Sequence, residues 1–222
     1  MFTTSTLNKK KLQETIDELS TQTDVNGTTI DSGIITTVAL LNMHGFPTYS
    51  SCEGHVDKAK PYGWIKFITP TEAAERALQA NGVSIYYLLS EKAHETANRK
   101  TKARFGNQET WDKKADEFYG QTLRETLRRH INYNYYVDIT EKIRTERKEL
   151  REKINDFLYE FLSFQKNSVT ISKTGSVKIL FASENELSLG PVDDLSLEQK
   201  KVLKNRSRKS ITTFNEFLEY SF

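Results

Sequence analysis

"PTYSSCEGHVDKAKPYGWIKFIT", residues 47–69, holds two short β-prone runs separated by a polar turn and loop. "PTYSS" reads as a strand leading into a turn at Cys52–Gly54. "GWIKFIT" (63–69) reads as a second strand, with Trp64, Ile65 and Phe67 as its apolar positions. No helical segment intervenes, so the two strands are expected to be antiparallel neighbours. Far downstream, "SVTISKTGSVKILFAS" (168–183) repeats the signal, with two β-branched runs flanking Lys173-Thr174-Gly175. "NELSLGP" (185–191) is expected to add a further strand. Two strand clusters with hairpin connections, kept apart by helices, give an α+β fold with an antiparallel or mixed sheet.

The helices read outward from this frame. Leu12, Ile16 and Leu19 share one face of a helix over 8–20, and Asn26-Gly27 marks a turn after it. A second helix is expected to start at Asp31 and Ser32, both good N-caps, and to stop at Gly45. "TPTEAAERALQANG" (69–82) is a short helix with Pro70 in its first turn. From 84 to 165 the chain is charged and almost free of proline, and Gly106 and Asn107 are expected to break it. "DITEKIRTERKELREKINDFLYEFLSF" (138–164) carries an apolar stripe through Ile139, Ile143, Leu150, Ile154, Phe157 and Phe161. Asp138 and Glu141 resemble a capping box at its start. This helix is expected to form an antiparallel hairpin with a helix near 109–130. The last 28 residues hold a C-terminal helix with a Ser196–Gln199 capping box and a break near Ser207. Val202, Leu203, Ile211, Phe214, Phe217 and Leu218 are its apolar positions. The organisation expected is a single α+β domain over 1–222, with 84–165 as a charged helical insertion.

Composition narrows the class. With 36% apolar and 28% charged residues the chain supports a core and long solvated helices. The net charge of +2 means that any basic patch is local. One cysteine excludes an internal disulfide framework. No signal-peptide core or membrane-length apolar run is present, so a cytoplasmic location and no membrane partner are expected. P-loop, Gly-x-Gly-x-x-Gly and Gly-x-Ser-x-Gly signatures are lacking, as is the zinc-deaminase pair.

Chemistry concentrates in the Cys52 turn. Cys52 and His55 are the candidate catalytic pair, since a nearby imidazole activates a thiol. Cys-x-x-His spacing, with His44 upstream, also permits an open three-ligand zinc site. A four-ligand structural set is missing, and no metal ligands are assigned. The reading favoured by the residues is a polar binding loop. Thr48, Ser50 and Ser51 offer hydroxyls, Gly54 offers close backbone approach, and Trp64 offers a stacking surface. Lys58, Lys60 and Lys66 favour an anionic group. On the C-terminal helix, Lys200, Lys201, Lys204, Arg206, Arg208 and Lys209 form the densest basic run. Together with Arg124, Arg128 and Arg129 they are a candidate phosphate-binding face, with Lys201, Lys204, Arg206 and Arg208 as its nucleic-acid contacts. "NYNYYV" (132–137) is either base-stacking or interhelical packing.

"TYSSCEGH" (48–55) followed by "GWIKFITP" (63–70) resembles the Thr-Ser-Ser-Cys-Ser-Gly-Arg segment and Trp-containing strand of the tRNA wybutosine-synthesizing protein 3 family. "NSVTISKTGSVKILFASENELSLGP" (167–191) is similar to that family's second cluster. The Ser-Cys-Glu-Gly-His pattern also resembles bacterial and phage proteins. Two departures stand out: His55 replaces the family's arginine, and Ile68 and Thr69 occupy the place of a histidine. The resemblance implies S-adenosylmethionine as cofactor and methylation of a modified tRNA guanosine. The residues themselves leave two readings: an RNA- or nucleotide-directed enzyme, or a regulatory protein that senses a small anionic ligand and forms a homodimer through its charged helices.

Overall fold

The computed structural model describes residues 3–23, 28–57, 60–106, 111–165, 169–187 and 194–221. The chain divides into two compact units, Met1–Ile68 with Glu149–Phe222, and Thr69–Lys148.

The first unit carries the sheet. Helices α1 (Thr3–Thr21) and α2 (Ile35–Met43) precede strands β1 (Thr48–Cys52) and β2 (Trp64–Phe67). After the second unit come β3 (Thr170–Ile171) and β4 (Lys178–Leu180). The four strands are ordered β1-β2-β4-β3, and every neighbouring pair is antiparallel. Both expected hairpins form, and β2 joins them by pairing Ile65 with Ile179. The fold is α+β with a fully antiparallel sheet.

Alternation along β2 sends Ile65 and Phe67 into the core and leaves Trp64 and Lys66 half-buried. The core lies between that inner face and the helices. Val38, Leu40 and Leu41 of α2 meet Ile211, Phe214 and Leu218 of the C-terminal helix α9 (Leu197–Tyr220). Phe214 sits edge-on to Phe161 and Phe181, at 5.0 and 5.6 Å between ring centres. Each fully buried side chain of this kind contributes about 1.5–3 kcal/mol.

α2 begins at Ile35 with no side-chain cap, because the residue at its cap position is Ile34; Asp31, three residues earlier, bonds the Glu53 N–H instead. Its end is a Schellman motif. Gly45 takes φ +82°, and the N–H groups of Gly45 and Phe46 bond to the carbonyls of Asn42 and Leu41. α9 starts on the Ser196–Gln199 capping box and runs unbroken past Ser207, while Val202 is exposed rather than core. Residues 185–187 of the expected further strand lie in a helical turn, α8 (Glu184–Leu187); 188–191 lie outside the described residues, as do Asn26-Gly27 and Asn107.

The second unit is helical: α3 (Pro70–Ala80), α4 (Ile85–Phe105), α5 (Lys113–Arg128) and the start of α6 (Tyr133–Phe157), which α7 (Tyr159–Gln165) follows in the first unit. A Thr69–Glu72 capping box starts α3, with Pro70 at its first position. The helical hairpin is α4 with α5, not α5 with α6. Small residues Ala93, Ala97 and Thr101 on α4 and Ala115 and Thr122 on α5 are buried, which lets the two helices approach. Asp138 is interior to α6, which begins five residues earlier than the capping-box reading because Tyr136 stacks on Tyr86. Among the described residues, no helix is long and apolar enough to cross a membrane.

Candidate functional site

β1 ends at Cys52, and the chain then turns back through Glu53, Gly54 and His55. Gly54 is buried at φ +88°, and a Cβ there would lie 2.6 Å from the Pro61 carbonyl oxygen and 2.7 Å from the Tyr62 carbonyl carbon. The glycine therefore serves close packing of two backbone segments, which the His55 N–H to Lys60 carbonyl bond of 2.9 Å also joins. Burial pushes the neighbouring Tyr62 phenol above its ordinary range.

Glu53 pins the turn. Its carboxylate accepts the Gly33 N–H at 3.0 Å and faces Lys204 at 3.6 Å and Arg208 at 3.5 Å. A Cβ on Gly33 would fall 2.1 Å from Glu53 Oε2, so a side chain there would have to push the carboxylate off the Gly33 N–H. A second tie comes from Ser207, whose buried hydroxyl accepts the Gly63 N–H at 2.7 Å. α9 thus holds both ends of the β1–β2 connection.

Three donors of different chemistry meet at the turn. Asp31 Oδ2 accepts the Glu53 N–H at 3.1 Å and lies 3.3 Å from His55 Nε2. Cys52 Sγ accepts the Gly54 N–H at 3.4 Å. One carboxylate oxygen of Asp31, the sulfur of Cys52 and one ring nitrogen of His55 all lie within 4.8 Å of one another. Beside them opens a cleft of about 470 Å³, lined by Asn42, Thr48, Ser50, Ser51 and Thr28–Asp31 as well as Cys52 and His55. No lysine or arginine stands among the described residues that line it.

The candidates from sequence divide accordingly. Cys52, His55, Thr48, Ser50 and Ser51 share the cleft, although the Thr48 N–H and hydroxyl both engage Asn42 Oδ1, at 3.0 and 3.1 Å. Trp64 and Lys66 are not among its lining residues. Lys178 Nζ sits 5.7 Å from the centre of a Trp64 ring, and Lys66 Nζ sits 5.4 Å from that of Tyr49. His44 does not join Cys52. Its Nε2 lies 3.0 Å from the Leu218 carbonyl and its ring packs on Phe157, so Asp31 takes the place that His44 had in the zinc reading.

Among the nucleic-acid candidates, Lys204 and Arg208 face Glu53, and Arg206 pairs with Glu186 at 3.1 Å. Lys201 is exposed on α9, and Lys58 lies outside the described residues. In the helical unit, Arg124 and Arg128 line a groove of about 330 Å³ with Tyr133, Tyr136 and Arg144. Of the "NYNYYV" tyrosines, Tyr136 stacks on Tyr86 and the Tyr135 hydroxyl donates to Glu75 at 2.7 Å.

Sequence reasoning missed Asp31, Gly33, Glu53 and Ser207. Asp31 read as a helix cap and Ser207 as a helix break, and only long-range pairing assigns them to the turn. Compared with known proteins, the chain matches no family model, no curated protein and no solved structure.

Proposed function

We propose that the cleft beside Cys52 and His55 binds a small nucleoside-type ligand, and that the protein is an RNA- or nucleotide-directed enzyme of the methyltransferase kind. One observation carries the choice of ligand: hydroxyl and amide groups line the cleft, Asp31 supplies a carboxylate, and lysine and arginine are lacking among its described lining residues. Such a lining suits ribose hydroxyls and a cationic group. A phosphate would want cations at the rim, and the described lining holds no lysine or arginine. S-adenosylmethionine, the cofactor implied by the resemblance of residues 48–70, combines a ribose with a sulfonium and an ammonium.

Titration calorimetry of the chelator-treated full chain with S-adenosylmethionine, S-adenosylhomocysteine and inorganic phosphate tests this. One-to-one uptake of S-adenosylmethionine is expected, about tenfold tighter than S-adenosylhomocysteine, which lacks the sulfonium charge; that factor is about 1.4 kcal/mol. Tighter uptake of phosphate, or no uptake of either nucleoside, overturns the reading. Uptake without methyl transfer to tRNA leaves a ligand-binding protein instead of an enzyme.

A further inference from the structure

We infer that Asp31, Cys52 and His55 form a binding site for a divalent transition-metal ion of the zinc class, with its fourth position open to the cleft. The inference stands on these three side chains and not on what else the cleft takes up. Their donors are a carboxylate oxygen, a thiol sulfur and an imidazole nitrogen, all within 4.8 Å of one another. Tetrahedral zinc with bonds of about 2.0–2.3 Å sets its donors roughly 3.3–3.7 Å apart. Asp31 Oδ2 and His55 Nε2 already stand at 3.3 Å, so a side-chain adjustment of about 1 Å closes the set.

Donor chemistry selects the ion. Sulfur and imidazole disfavour magnesium and calcium, which take oxygen ligands. A carboxylate and a thiolate together neutralise a divalent charge. The surroundings are those of a held site. The Glu53 N–H fixes Asp31 Oδ2 and the Gly54 N–H points at Cys52 Sγ, so backbone donors orient two of the three ligands. Those donors are themselves set by the Glu53 ion pairs and by the close contact of Gly54 with Pro61 and Tyr62. Three protein ligands beside a cleft of about 470 Å³ match the open arrangement of reactive zinc sites rather than the closed one of structural sites.

Cobalt(II) and zinc(II) alone, added to the chelator-stripped full chain, test the inference. One equivalent of cobalt should bind, with the thiolate-to-metal charge-transfer absorption and the intense visible bands of a tetrahedral site, and zinc should displace it. These signals are read on the unaltered chain and need no variant to fold. Cys52→Ser should abolish the charge-transfer absorption, and Cys52→Ser and Asp31→Asn should each weaken binding by more than the roughly 10–100-fold that loss of a mere outer-shell partner costs. His44→Gln should leave the absorption intact. Cobalt uptake without the thiolate signature, uptake below one equivalent at saturation, or equal affinity in a folded Cys52→Ser chain overturns it.

Discussion

Gly54→Ala and Gly45→Ala make a matched pair that separates backbone conformation from backbone contact. Both glycines have nearly the same dihedral, φ +88° and φ +82°. An alanine at either position meets the left-handed penalty of about 1–2 kcal/mol. Around Gly45 nothing lies within 4 Å of an added Cβ, so the cost ends there. At Gly54 the added carbon falls 2.6 Å from the Pro61 oxygen, and both partners are backbone. Relief demands a movement of several tenths of an ångström in a segment tied by the His55–Lys60 bond and by the Cys52–Trp64 register. Overpacking of that kind costs about 1–3 kcal/mol more. Gly54→Ala should therefore lose about 2 kcal/mol beyond Gly45→Ala, roughly 4–8 °C in Tm. Calorimetry and urea titration of both variants measure the gap. Equal losses refute the packing argument, and Gly54→Ala with full stability and lost ligand uptake restores the reading of Gly54 as a ligand-facing residue.

Other substitutions probe the ties around the turn. Ser207→Ala strands the buried Gly63 N–H and should cost about 1–3 kcal/mol in urea unfolding, whereas a loss near zero shows that the bond is replaced. Glu53→Gln keeps an acceptor for Gly33 but removes the charge facing Lys204; Lys204→Met in that background should recover part of the loss, with a coupling of about 1 kcal/mol, and strict additivity denies the pair. In the helical unit, burial works to raise the Glu72 carboxyl, but the Arg147 hydrogen bond and charge, with the Thr69 bonds, outweigh it and hold it below its ordinary 4.5. Thr71 bonds likewise outweigh burial at Glu146 and lower it. A folded pKa below the unfolded one gives stability that is present above about pH 4.5 and is lost as pH falls through the depressed value. Glu72→Gln should flatten the stability curve below that pH, and an unchanged slope by circular dichroism counts against the pairing.

Local chemistry explains which parts of the fold were legible. The Schellman end at Gly45 and the Ser196 box depend on residues within a few positions of each other, and each hairpin on two runs joined directly by one loop, and they form as read. Where a local motif competed with a distant partner, the distant partner won. Asp31 has the chemistry of an N-cap, but its carboxylate holds the Glu53 N–H and faces His55. Asp138 and Glu141 have capping-box spacing, but packing of Tyr136 on Tyr86 extends the helix past them. The union of the two hairpins through β2 and β4 had no local signal, because the helical unit intervenes in the chain.

The basic run on α9 has partners that its local spacing does not show, for a related reason. Lys204 and Arg208 sit one turn apart and read as a phosphate face, yet both point at Glu53, a single acid far away in sequence. That pairing also sorts the Ser-Cys-Glu-Gly-His turn. Glu53 is accounted for by α9 and Gly33, and Gly54 by the Pro61–Tyr62 backbone, so fold and packing explain both. Cys52 and His55 flank these two anchors and share the cleft wall with Asp31. A turn whose middle is fixed so firmly sets the spacing of its outer residues, and fixed spacing between a thiol, an imidazole and a carboxylate is what a metal or a reacting group needs. The metal binding inferred above therefore falls to the flanks of the turn, and the stiffness of its centre is what would hold them at that spacing.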